Sequence, residues 1–255
     1  MNSKWQQALS GLLKSARVLK YRATFSYPAI AIILVGSLAI TTFTFASQGS
    51  KYQIELLELA SANGAEFDPI KAIESLAVKG RAPKTGYSRS AFGPAWADVD
   101  RNGCDTRNDI LKRDLTQITF RAKTKDCIVE IGILTDPFSG ESINFQRGIR
   151  TSALVQIDHV VALSNAWQTG IFKSDLATRK SFANDPLNLL AVKGSLNSQK
   201  RDGDAATWLP PNKPFRCDYV SRQVEVKVKY GLWLTRAEKE AILRILSNPP
   251  CLKQN

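Results

Sequence analysis

Hydrophobic positions are distributed along this chain in two ways. Residues 28–46 (PAIAIILVGSLAITTFTFA) form one unbroken apolar-leaning run without a charged side chain. Nineteen such residues can cross a hydrocarbon core as a helix, whereas a buried helix of a globular domain usually keeps a polar stripe. After this run the pattern breaks into short amphipathic pieces. Residues 47–63 predict a helix with Ile54, Leu56 and Leu57 to one side and a stop at Asn63-Gly64. A second short helix is expected from Pro69 to Ala77, followed by a polar, Gly- and Pro-containing linker over residues 79–86.

The remaining elements are read the same way. Thr106 to Leu115 places Ile110, Leu111 and Leu115 at helical spacing, with Thr106 as the expected N-cap. Cys127 to Leu134 alternates as a strand, residues 136–140 make a turn, and Ile143 to Phe145 return. Val155 to Val161 is a short strand, Ala162 to Gln168 a helix stopping at Gly170, and Asp175 to Phe182 another helix. After the break at Asp185-Pro186, Leu187 to Val192 reads as extended and Ser195 to Lys200 starts a helix. Residues 208–211 (WLPP) form a rigid turn. Phe215 to Tyr230 is a long helix with Val220, Val224 and Val228 on one stripe. Thr235 and Glu238 match a capping box that opens a last helix ending before Pro249. Helices and short strands mix without a βαβ rhythm, which gives an α+β class.

Charge and cysteines refine this picture. The net charge is +12, which favours polyanionic partners: nucleic acid or an anionic membrane surface. Five of the positive charges precede residue 28, where there is no acid. A basic leader, an apolar run and a polar continuation form an export signal, either an uncleaved anchor or a signal peptide. The positive-inside rule then puts residues 1–27 in the cytoplasm and the rest outside, with residues 28–46 contacting the membrane. The organisation expected is leader 1–27, span 28–46, helical stalk and linker 47–85, and a main domain over 86–255. All four cysteines, Cys104, Cys127, Cys217 and Cys251, follow the apolar run, and none is in a CxxC pair. An even number on the exported side suggests two disulfides. Of three possible pairings, the sequence neighbours Cys104–Cys127 and Cys217–Cys251 are favoured.

Candidate chemistry centres on His159, the single histidine of the chain. It follows Asp158 inside an apolar strand pattern, where two adjacent polar groups are costly to bury without a purpose. Downstream lie Asn188, then Asn197 nine residues later, then Lys200. Asp98, Asp100 and Asn102, with Asp109 at the twelfth place, look like the start of a calcium loop, but the twelfth residue departs from Glu. The alternative is a turn pinned by a disulfide. No P-loop, GxSxG or HExxH motif occurs.

This ordered set resembles the HNH (His-Asn-His) nuclease superfamily and its ββα-metal core. The stretches IDHVVALSNAW, FANDPLNLLAV, LNSQKRDGDAATWLPP and YVSRQVEVKVKYGLW are similar to the branch that includes the C-terminal domain of GmrSD-type restriction enzymes and exported bacterial HNH proteins. GYSRSAFGPAWADVDRNGCDTRND resembles the N-terminal part of the exported members. The resemblance spans roughly residues 86 to 251.

The resemblance implies a metal-dependent endonuclease. His159 would be the general base, Asn188 would orient it, and Asp158 and Asn197 would hold one divalent ion. Asn197 stands where many HNH proteins have a final His. Hard oxygen ligands suit Mg²⁺ or Mn²⁺ over zinc or nickel. Lys200 would meet a phosphate oxygen. The basic residues Arg179, Lys180, Arg201, Lys213, Arg216, Arg222, Lys227 and Lys229 could follow a nucleic-acid backbone. Trp208 and Phe215 could stack on bases or plug the core. DNA is the expected substrate, with RNA left open, acted on outside the cytoplasm by a membrane-anchored or secreted protein. The rival readings are a non-catalytic, membrane-tethered nucleic-acid-binding protein and a toxin or restriction-like effector.

Overall fold

A computed structural model describes residues 67–248 and Cys251. The leader, the apolar run 28–46 and the helix expected over 47–63 lie outside the described residues. Among the described residues no helix is long and apolar enough to cross a membrane. The architecture is α+β, as its mixed pattern requires.

A short helix α1 (Pro69–Ser75), capped by Asp68, packs Ile73 into the main core. The stretch read as a linker is strapped along the body. Lys79 N–H donates to Leu234 O, Ala82 N–H to Gln168 O, and the Trp167 and Trp233 indoles donate to Thr85 and Gly80 carbonyls. Pairing of its backbone with the body gives this polar segment a fixed path.

Helix α2 (Thr106–Asp114) leads directly into a three-stranded antiparallel sheet, β1 (Leu115–Phe120), β2 (Val129–Thr135) and β3 (Ser142–Gln146), in the order β1-β2-β3. Two corrections apply here. The N-cap of α2 is Asp105, whose carboxylate accepts from Asn108 N–H, and Thr106 is the first helical residue. Strand β1 was not expected, because Gln117 adopts a positive φ and the β1–β2 register shifts on either side of Thr119, which breaks the two-residue alternation.

The second sheet is the antiparallel pair β4 (Val155–His159) and β5 (Leu189–Lys193), joined by helix α3 (Leu163–Gln168) and helix α4 (Leu176–Ala183). Helix α5 (Gly194–Lys200) follows β5 without a loop, completing a ββα unit. Leu187 and Asn188, read as extended, form a 3-10 turn before β5. Gly194 is required by a close approach: a Cβ there would lie 2.1 Å from Ala153 O. The glycine lets α5 start against the entry to β4.

This ββα unit is covered on both sides. Leu189 and Ala191 join Val155, Ile157, Ile110 and Leu111 in one cluster; Leu190 and Val192 join Tyr219, Val220 and Val224 in another. Burial on both faces explains why β5 reads as a continuous apolar run. The second cluster is built from α6 (Arg216–Lys229) and α7 (Arg236–Leu246), the latter opened by the expected Thr235–Glu238 capping box. Trp208 and Phe215 pack around Phe138 and Tyr219, with Trp208 4.9 Å from Phe138 between ring centroids, and so belong to the core. Lys227, included above among the basic residues, is buried against Glu238.

Both disulfides join the sequence neighbours, Cys104–Cys127 and Cys217–Cys251. The first pins the Asp98–Asp109 loop. There Asp98 accepts from Asn102 and Gly103 N–H groups, and the Asn102 amide bridges Asp100 and Asp109. These contacts fit a disulfide-pinned turn. Among the described residues no three His, Cys, Asp or Glu side chains converge as a metal cage.

Candidate active site

Strand alternation divides the end of β4 between two faces. Gln156 and Asp158 point towards α5, whereas Ile157 and His159 point the other way. His159 is paired in register with Leu189 at the end of the β4–β5 pair and is largely buried. Its Nε2 lies 2.9 Å from Ala183 O. A carbonyl can only accept, so Nε2 carries the proton and Nδ1 keeps its lone pair. Among the described residues Nδ1 has no hydrogen-bond partner.

Burial pushes the His159 pKa down to about 4, with the charges of Arg89 and Lys200 adding to this and the Ala183 carbonyl opposing it. The imidazole is therefore neutral, and basic at Nδ1, throughout the neutral range. This has a consequence for stability. The unfolded chain takes up a proton near pH 6.5 while the folded one does not, so stability is full above that value and is lost as pH falls towards 4. Urea unfolding at pH 7 and pH 4.5 is expected to show His159→Gln losing less stability than the parent over that interval, by on the order of 2 kcal/mol. Equal losses would remove the buried neutral imidazole from the account.

Asn188 is fully buried, and its side-chain hydrogen bonds run to backbone atoms and not to the imidazole. Its Oδ1 accepts from Val161 N–H at 2.8 Å, its amide donates to Val161 O at 3.3 Å, and its backbone O accepts from Val160 N–H. It clamps the chain immediately after His159 and so fixes where the ring points. The amide of Asn197 donates to Gln156 Oε1 at 2.9 Å, which leaves its Oδ1 as the free end. Gln156 was not singled out in the sequence; strand alternation from Asp158 was the signal that could have found it.

Lys200 takes a place other than the expected one. Its ammonium is buried, 2.8 Å from both Asp158 oxygens and 2.6 Å from His159 O. All three of its N–H donors are used inside the protein. It takes both Asp158 oxygens and the His159 carbonyl, with no donor left for a substrate phosphate. Burial raises the Asp158 carboxyl above its ordinary range, while the charge and hydrogen bonds of Lys200 pull it back.

Two openings meet at His159. One, of about 440 Å³, is lined by Asp158, His159, Asn197, Arg201 and Arg89 among others. The other, of about 280 Å³, is more apolar, with Phe92, Pro94, Trp96 and Leu163 in its walls, and again includes His159 and Arg89. The Trp96 ring lies nearly parallel to the imidazole, 6.1 Å between centroids. The structure thus brings Asp158, His159, Asn197 and Arg201 together. Of the other basic residues expected along a nucleic-acid backbone, Arg179 is tied to Ala91 and Ser174 carbonyls, and Lys180 packs beside Gly93. Lys213 and Arg216 sit at the start of α6, with Arg216 donating to Pro210 O, and Lys229 pairs with Asp185. None of these five lines either opening. Arg89 and Trp96, which the sequence reading had only inside a longer matching stretch, do.

Residues 105–245, more than half of the chain, match the family model of GmrSD restriction endonucleases, C-terminal domain. A protein of Arthroderma benhamiae described as an "Uncharacterized secreted protein" is 34% identical over 177 residues, covering 69% of this chain and 81% of that protein. No solved structure matches. The chain belongs to the family of the C-terminal domain of GmrSD restriction endonucleases.

Proposed function

We propose that this chain is a divalent-metal-dependent HNH endonuclease that hydrolyses phosphodiester bonds of DNA outside the cytoplasm. The observation that carries the reading is that His159, whose Nδ1 has no hydrogen-bond partner among the described residues, lines the same opening as Asp158 and Asn197. The residues fit a magnesium-like ion. A carboxylate and an amide whose carbonyl end is left free by Gln156 are hard oxygen ligands, and such an ion needs few from the protein because it keeps several waters. Asp158 and Asn197 would hold it, and when bound it would neutralise charge developing on the phosphate and the leaving oxygen.

The remaining steps belong to the chain's own residues. His159 Nδ1 removes the proton from the attacking water, while the Nε2–H bond to Ala183 O fixes the ring and steadies the imidazolium that forms. Asn188 holds the backbone that carries the ring. Lys200 fixes the Asp158 carboxylate and balances its charge through both oxygens, each of which keeps a further lone pair. Arg201 stands on the wall of that opening, where it can meet the substrate backbone.

An extracytoplasmic location is supported by two disulfides, which persist in oxidising compartments, and by the secreted relative. The apolar run 28–46 would be the export segment.

The test is plasmid cleavage by the full-length protein with Mg²⁺ or Mn²⁺. Nicked and linear products are expected with metal and none with EDTA, and a parallel RNA substrate reports on substrate range. Cleavage undiminished by EDTA would refute the metal requirement. A folded protein that binds the plasmid but never cuts it would favour the non-catalytic binding protein instead.

A further inference from the structure

The wall of the cleft made by residues 87–96 lies ahead of the family match, which begins at residue 105. It is nonetheless rigidly placed. Arg89 opens a 3-10 turn, Arg89–Phe92, capped by the Ser88 hydroxyl, which accepts from Ala91 N–H. Phe92 is buried against Phe182 and Trp167, and the Arg179 guanidinium donates to Ala91 O at 2.7 Å. A turn held from three sides presents Arg89 at a fixed position.

The Arg89 side chain itself is exposed, and among the described residues its guanidinium has neither a hydrogen bond nor an ion pair. It lines both the polar opening and the apolar one. A surface arginine usually pairs with a carboxylate or lies along apolar surface. This one is unpaired, on an anchored turn, over the junction of two openings that share the proposed general base.

Building on the nuclease reading, we propose that Arg89 is a substrate-binding residue that grips a phosphate of the nucleic acid flanking the scissile one, where the strand passes from the polar opening to the apolar one. A guanidinium suits this place because its planar fork meets a phosphate through two parallel hydrogen bonds.

The experiment uses the full-length protein with Arg89→Ala and Arg89→Lys, circular dichroism confirming the fold. Oligonucleotides carry a single neutral methylphosphonate at successive positions. Cleavage at each linkage is scored against the place of the neutral group relative to it, and binding is measured by anisotropy against salt. Arg89→Ala is expected to weaken binding and lower kcat/KM by about tenfold to a hundredfold, as for a lost hydrogen bond to a charged group. Its salt slope should fall by about one phosphate contact. One methylphosphonate position should slow the parent by a similar factor and slow Arg89→Ala no further, because both changes remove the same interaction. Arg89→Lys should recover only part, having the charge without the fork.

Equal responses of parent and Arg89→Ala to every methylphosphonate, or parental binding and cleavage by Arg89→Ala, would overturn the proposal. A parent that binds but never cuts would sink the nuclease reading alone, since affinity and salt slope still decide on Arg89. A parent that binds no nucleic acid would overturn both.

Discussion

His159→Ala is expected to slow phosphodiester cleavage by about a hundredfold to ten-thousandfold while leaving nucleic-acid affinity nearly unchanged. The first number is the usual contribution of a positioned general base. The second follows because affinity comes from Lys and Arg contacts with phosphates, and His159 is neutral at working pH. No other histidine can take over, because the chain has none. Raising the Mg²⁺ or Mn²⁺ concentration should not rescue this variant. Asp158→Ala and Asn197→Ala should respond differently, because they would remove ligands: excess metal should restore part of their activity. Asn188→Ala should lower the rate with metal affinity close to the parent's, since its hydrogen bonds run to Val161 and Phe182 backbone atoms and not into the opening. Rates measured against metal concentration for the four variants separate these roles. A folded His159→Ala protein that cuts at the parent rate would end the assignment of His159 as the base.

Much of the fold was legible because its elements obey local rules. The valine stripe of α6, the capping box of α7 and the strand–turn–strand run through residues 136–140 each follow from spacing or turn chemistry. Strand β1 was not legible, because its broken register erases the alternation a reader relies on. The path of residues 79–86, read as a linker, was not legible for a related reason. Gly and Pro punctuate a segment but say nothing about whether its backbone finds partners elsewhere, as this one does along Gln168 and Leu234.

The site divides along the same line. Asp158, His159, Asn188 and Asn197 were legible as an ordered pattern of residue types. Which charges face the cleft was not, because clustering in sequence does not say which way a helix or turn presents its arginines. Only Arg201 of the basic residues put forward for nucleic acid lines the opening, and Arg89, about seventy residues ahead of the Asp158-His159 pair, reaches it through a turn that its local Ser88 cap starts and tertiary contacts to Phe92 and Ala91 place.

Lys200 is where the two ways of reading the chain give opposite expected results. If its three donors serve Asp158 and His159 O as described, Lys200→Met leaves a carboxylate buried without its counter-ion. Breaking one side of a buried ion pair costs about 3–5 kcal/mol, because the remaining charge loses its compensation. Urea denaturation should therefore show a large drop in stability, and activity should fall with it as Asp158 loses the partner that fixes its position. Combining Lys200→Met with Asp158→Asn should recover much of that stability, since replacing both partners removes the uncompensated charge. The double variant should still be inactive, lacking the carboxylate. A lysine that reached out to a phosphate would behave otherwise. Its loss would change stability by no more than about 0.5 kcal/mol, as for most surface substitutions, and would weaken nucleic-acid binding in a salt-dependent way. A Lys200→Met protein as stable as its parent, but binding nucleic acid more weakly, would return Lys200 to the substrate and leave Asp158 in need of another partner.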